Sequence, residues 1–366
     1  MIIDALRAFG DRVLGRGEAS ITIPIFDGAL KPNQILERAE TVARFEDASD
    51  IATDGRDLFI ADGPKVLRLA GGQSTEIARF ERPVTALCVL SDGGLAVALD
   101  GREVCVKGGA LDGRRWTGPS TAPFRAVNAI ALLADGTLAV TDGSLRYDGA
   151  DWTHDLMSRG ATGRLIVVDP KSGDASVAMQ GLEYAFGACA SGDECLVSES
   201  WRHRIVTFGA GGRRRTLLER LPVYPSRLVA AGDGGFWLTA FTARTQLVEF
   251  VLRENAFRRR MMAEIAPEHW IAPRLRSGQS YLEPMQGAHL RTMGVLKPWA
   301  PPRSYGLVIR LNAAGIPIYS LHSRVDGVNH GVVAAAELGG FLYLLAKGPG
   351  RLLRLALADI EKEAVT

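Results

Sequence analysis

Asp50, Asn128, Phe186, Ser226, Arg227, Asn329 and His330 each stand at, or just before, the start of a short apolar run, and they carry most of the chemistry this chain can offer. His330 is the candidate acid or base, because a neutral imidazole titrates near working pH; its structural alternative is a ring bonded to a backbone carbonyl at a turn. Arg227 offers fixed positive charge to a carboxylate or a developing oxyanion, or else an ion pair with Asp50. Asn128, Ser226 and Asn329 add neutral hydrogen-bonding groups. Phe186 adds an apolar surface, suited equally to an organic ligand and to plugging a channel. Trp201, within Glu199-Ser200-Trp201-Arg202-His203, can stack on a ligand or pack a turn, and His154, Asp155 and Lys347 are weaker candidates of the same kind. The Ser-x-Ser of Ser198 and Ser200 has no nucleophile-elbow context and does not support a serine hydrolase.

The elements that position these residues repeat along the chain. A unit of apolar strand, Asp/Gly turn, apolar strand, turn and apolar strand begins at Asp50 (DIATDGRDLFIADG), Thr85 (TALCVLSDGGLAVALDG), Asn128 (NAIALLADGTLAVTDG) and Gly187 (GACASGDECLVSES). It returns in LPVYPSRLVAAGDGGFWLTAF from Leu221 and in GVVAAAELGGFLYLLAKG from Gly331. A period of about 35 to 45 residues is that of propeller blades, so the spacing predicts an all-β, six-bladed β-propeller spanning 39–366. The last unit lacks a fourth strand, and the segment 39–45 (AETVARF) is a spare strand at the other end; pairing them closes the ring and hides two edges. Two units are interrupted between their second and third strands, by insertions at 143–162 and 242–304. Both are expected to overhang the mouth face, where the inner strands begin, the longer one as a lid or as packing.

Residues 1–38 read as an N-terminal helix and connector, with Ile2, Leu6, Phe9 and Val13 on one helical face. The helix is expected to pack on the body, the alternative being a membrane or protein contact. With 43 Lys and Arg against 41 Asp and Glu, the net charge is +2; no overall field recruits nucleic acid. No apolar run is long enough for a transmembrane segment. Cys88, Cys105, Cys189 and Cys195 show no CxxC spacing and no leader precedes them, which reads as buried thiols of a cytoplasmic protein, with a Cys88–Cys105 disulfide as the alternative.

Beyond the repeat, LKPNQILERAE, DWTHDLMSRGATGRLIVVDPKSGD, LPVYPSRLVAAGDGGFWLTAF, KPWAPPRSYGLVIRL and HGVVAAAELGGFLYLLAKG occur in that order. Together they resemble the strictosidine synthase-like family, six-bladed propellers that include gluconolactonases and paraoxonases. The resemblance implies a small-molecule site at the central mouth, with calcium-assisted lactone and ester hydrolysis in most hydrolytic relatives and a glutamate-driven condensation in the plant synthase. The calcium positions of those relatives fall on Ser49, Asn128, Phe186 and Ser226-Arg227, and only Asn128 keeps a family ligand. The condensing glutamate falls on Val333, so strictosidine synthesis is not expected.

The expected function is therefore binding of a small organic molecule, anionic if Arg227 is free, at the mouth without a cofactor and with altered hydrolase or lyase chemistry. One alternative is a hydrolase of lactones or esters that keeps calcium through other ligands. Another is a non-catalytic interaction module whose protein partner meets the N-terminal helix or the 242–304 insertion.

Overall fold

The structure, a computed structural model, describes residues 23–277, 291–292, 295–296 and 304–364. The expected N-terminal helix lies outside them.

Six four-stranded antiparallel sheets are arranged as blades around one axis. The inner strands are Ala48–Thr53, Val84–Val89, Val127–Leu132, Ala185–Ser191, Val223–Ala230 and Val332–Leu338. Each touches the next in chain order, and the sixth touches the first, so the ring is closed. The second strands are buried on both sides between neighbouring blades and read as continuous apolar runs; Leu95–Leu99 is wholly buried. Outer strands face water, and Gln73–Arg79 and Arg213–Leu218 are accordingly polar and mostly exposed. The Asp/Gly signature between first and second strands is a tight turn whose glycine takes a left-handed conformation, as at Gly93, Gly136 and Gly234.

Closure is made by Glu40–Arg44, which pairs antiparallel with Arg351–Ala356 and completes the sixth blade. The connector before it is part of the body. Asn33 donates to the Ser320 carbonyl and accepts from the His322 amide, Glu37 accepts from the amides of Val328 and Asn329, and Ile35 and Leu36 are buried.

Both insertions leave from second-strand ends, after Leu138–Asp142 and after Phe236–Ala243. The first forms helix α1 (Trp152–Met157); the second forms α2 (Gln246–Arg253) and α3 (Asn255–Glu264). Leu156 and Met157 of α1, Val248 and Val251 of α2, Met261 of α3, and then Trp270 and Ala272 are all buried in one cluster with Tyr184, Trp201, Tyr224 and Phe241 from the blades. This part of the long insertion is thus a roof that shares the core of the propeller. A last helix, α4 (Leu357–Ala364), follows the sixth blade. Among the described residues no helix is long and apolar enough to cross a membrane. All four cysteines are free thiols, so the Cys88–Cys105 disulfide is not formed.

Candidate functional site

The inner strand of every blade breaks register near its start. The pairing with the second strand skips Ser49, Thr85, Asn128, Phe186 with Gly187, Ser226 with Arg227, and Val333. A bulge leaves its extra residue outside the ladder, so six bulges around one axis gather backbone carbonyls that have no strand partner. Buried carbonyls need donors.

Arg227 supplies donors to four of them. Its Nη1 donates to the carbonyls of Ser49 (3.0 Å) and Val333 (3.2 Å), and its Nη2 to those of Thr85 (2.9 Å) and Asn128 (2.5 Å). The guanidinium carbon lies 5.4 Å from the centroid of the Phe186 ring, a cation–π distance. One side chain from the fifth blade thereby reaches the first, second, third, fourth and sixth. Hydroxyls meet three of the other bulge carbonyls: Thr141 donates to Phe186, Ser198 to Ser226 and Thr239 to Arg227. Gly187 makes the fit possible, because a Cβ there would stand 2.6 Å from the Ser226 carbonyl oxygen.

Asp50 balances the charge. Its Oδ1 accepts from the Ile51 amide and its Oδ2 from the Leu87 amide, and Arg227 Nε lies 3.2 Å from Oδ1 without hydrogen-bond geometry. Burial pushes the Asp50 carboxyl up to about 6 against the pull of Arg227, and burial lowers the Arg227 guanidinium from its ordinary value. Both remain charged at neutral pH, as two amide donors to the carboxylate require.

Several expectations are corrected by these contacts. Arg227 is only 7% exposed and its terminal nitrogens are committed to carbonyls, so it is not a free cation for a ligand. Ser226 is fully buried, its hydroxyl bonded to Thr239 and the Val332 carbonyl. Asn329 faces away from the axis, donating to the Leu36 carbonyl and accepting from Arg351. Trp201 stacks on Tyr184 with centroids 4.4 Å apart and donates to Asp155 of α1, which commits this blade residue to packing under the insertions. Asn128 donates its amide to the Ala185 carbonyl. His330 is buried between Ser304, 2.6 Å from Nδ1, and the Arg324 carbonyl, 2.7 Å from Nε2. The structure brings Asp50, Asn128, Phe186, Ser226 and Arg227 together and leaves Asn329 outside the group.

Calcium, which the sequence resemblance implies, takes six to eight oxygens with several carboxylates among them. Asp50 is the one carboxylate of the bulge ring, its oxygens already accept amides, and a guanidinium holds the carbonyls. This donor set does not suit calcium. Among the described residues no three His, Cys, Asp or Glu side chains come together to hold an ion.

Ser49, Thr85, Phe186 and Lys347 stay partly accessible around this seal. Lys347 follows the second strand of the sixth blade, Phe341–Ala346. Its Nζ lies 4.0 Å from the exposed Asp47, and burial lowers its pKa, with Arg227 adding to the effect. In the sequence Lys347 is only a weak candidate, and no side-chain motif signals the Ser49, Thr85 and Val333 carbonyls.

The strictosidine synthase family model matches residues 128–208. The adipocyte plasma membrane-associated protein of Salmo salar is 26% identical over 372 residues, covering 92% of this chain and 82% of the relative. The strictosidine synthase-like 6 protein of Arabidopsis thaliana is 24% identical over 268 residues, 72% of this chain and 62% of its own. Of solved structures, a gluconolactonase from Xanthomonas campestris aligns with a TM-score of 0.54 at 14% identity, covering 86% of this chain and 88% of the other. A calcium-binding regucalcin from Agrobacterium tumefaciens aligns at 0.52 and 10% identity, covering 87% and 92%. At these identities the solved structures speak for the fold alone.

Proposed function

We propose that this strictosidine synthase-like six-bladed propeller binds a small organic acid, or an ester of one, at its axial mouth without a metal ion, the buried Arg227–Asp50 pair filling the axis and Lys347 on the rim meeting the acid. The seating of Arg227 carries the reading. Its donors satisfy bulge carbonyls on four blades, and its charge is matched by Asp50. A dication beside that guanidinium would meet repulsion and find few free oxygens.

The chemistry left for a ligand is that of the accessible rim. Phe186 offers a ring and Lys347 an ammonium, whereas the Ser49 and Thr85 hydroxyls donate to the Val84 and Val127 carbonyls and keep only lone pairs for a ligand. An ammonium and an aromatic ring on one rim suit a carboxylate on an apolar body, since the charge can be paired while the body covers the ring. Burial makes the ammonium of Lys347 costlier to keep unpaired, which favours an anion as its partner.

The test is calorimetric titration of aryl carboxylates and lactones in the presence of a chelator. The expected result is saturable binding that chelation leaves unchanged and that Lys347→Met weakens by roughly ten-fold, the worth of one charge-assisted hydrogen bond. Absence of any saturable ligand, or binding that appears only with calcium, would contradict the reading.

A further inference from the structure

We propose that Ser277 is an activated nucleophile, its hydroxyl joined through Ser304 to the imidazole of His330 in a relay fitted to acylation by an aryl carboxylic ester. Ser277 Oγ lies 2.8 Å from Ser304 Oγ, and Ser304 Oγ lies 2.6 Å from His330 Nδ1. On the far side of the ring, Nε2 is 2.7 Å from the Arg324 carbonyl oxygen.

The direction of each proton follows from this geometry. A carbonyl oxygen only accepts, so Nε2 of a neutral ring carries the proton and Nδ1 is bare. Ser304 must then donate to Nδ1, and its remaining lone pairs accept the hydroxyl of Ser277. The hydrogens therefore run one way, from Ser277 toward the imidazole. Burial lowers the His330 pKa below its ordinary value, against the Arg324 carbonyl and the carboxylates of Glu37 and Asp326, which leaves the ring neutral and able to accept. This is a nucleophile, a base and an orienting group, with one hydroxyl set between the first two. Ser304 and His330 are buried. Ser277 is half-buried and is the most exposed of the three.

In the reaction, Ser277 Oγ bonds to the acyl carbon while its proton passes to Ser304 and the Ser304 proton passes to His330 Nδ1. Collapse of the adduct breaks the carbon–oxygen bond to the aryloxide, which recovers the proton through Ser304. Water then attacks the acyl-serine along the same path and releases the carboxylic acid. Because a neutral carbonyl orients the imidazole, the imidazolium gains less stabilisation than a carboxylate would give it. A good leaving group is needed, hence an aryl rather than an alkyl ester.

This site goes beyond the mouth reading and does not depend on it. The test is incubation of the full chain with a fluorophosphonate probe, in which a phosphorus–fluorine bond is exchanged for a bond to serine and fluoride leaves, followed by mapping of the modified peptide by mass spectrometry. Labelling is expected at Ser277, abolished in Ser277→Ala with melting unchanged, and slowed roughly 100-fold in Ser304→Ala and His330→Gln, the scale of lost general-base assistance. Ser304→Ala removes a single hydroxyl and keeps the test readable if His330→Gln does not fold. No labelling of Ser277, or labelling at the original rate in folded Ser304→Ala, overturns the proposal.

Discussion

Arg227 Nε lies 3.2 Å from Asp50 Oδ1 at the propeller axis, and the pair is held in place by backbone groups rather than by each other alone. Two amides fix the carboxylate and carbonyls on four blades fix the guanidinium. Removing one partner leaves the other charge buried and also strands the carbonyls. Arg227→Met should cost about 3–5 kcal/mol in urea unfolding, the range for breaking a buried pair. Asp50→Asn with Arg227→Met should cost less than the two single losses added; strict additivity would show that the two charges do not sense each other.

The roof is anchored at its base by Glu249 of α2. Its carboxylate accepts from Arg244 Nε at 3.0 Å and from the Tyr224 hydroxyl at 3.4 Å, and it lies 3.6 Å from His203 Nε2. Burial pushes its pKa upward, but the hydrogen bonds from Arg244 and Tyr224 and the charge of Arg244 pull the other way, and it lies below the usual carboxylate range. Glu249→Ala should lower stability by about 3 kcal/mol and speed tryptic cleavage within 244–277. Cleavage at the original rate would mean that apolar packing alone holds the roof.

His203 and His322 are both lowered to about 3, chiefly by burial and then by Arg244 and Arg324 respectively. Both rings are neutral when folded, whereas the unfolded chain takes up their protons near 6.5. Their contribution to stability is complete above about 6.5 and is lost as pH falls toward 3. Melting temperatures of the protein and of His203→Gln should therefore converge as the solution is acidified from neutral. A constant gap would show that His203 is protonated in the fold.

The blades were legible because their information is local: apolar runs of strand length, Asp/Gly turns at a fixed spacing and one spare strand. LSDGG, LADGT and AGDGG each mark a turn whose glycine takes a left-handed conformation. The axial group was partly legible, since Asn128, Phe186, Ser226 and Arg227 stand at bulges. What those bulges do was not, because an unpaired carbonyl belongs to the backbone and leaves no mark in residue type. Arg227 next to Asp50 in space, 177 positions away in sequence (227 − 50), read equally well as a ligand's cation or as an ion pair. Ser277 and Ser304 carried no motif at all, and only the fold sets them beside His330.

The central claim is that the chain supplies its own axial cation. It is tested most directly by thermal melting of the metal-stripped protein as calcium is added. Ligands that bind only the folded state must raise its melting temperature. The account predicts an unchanged melting temperature with calcium and with chelator. A calcium-dependent rise of several degrees, abolished by chelation, would contradict it.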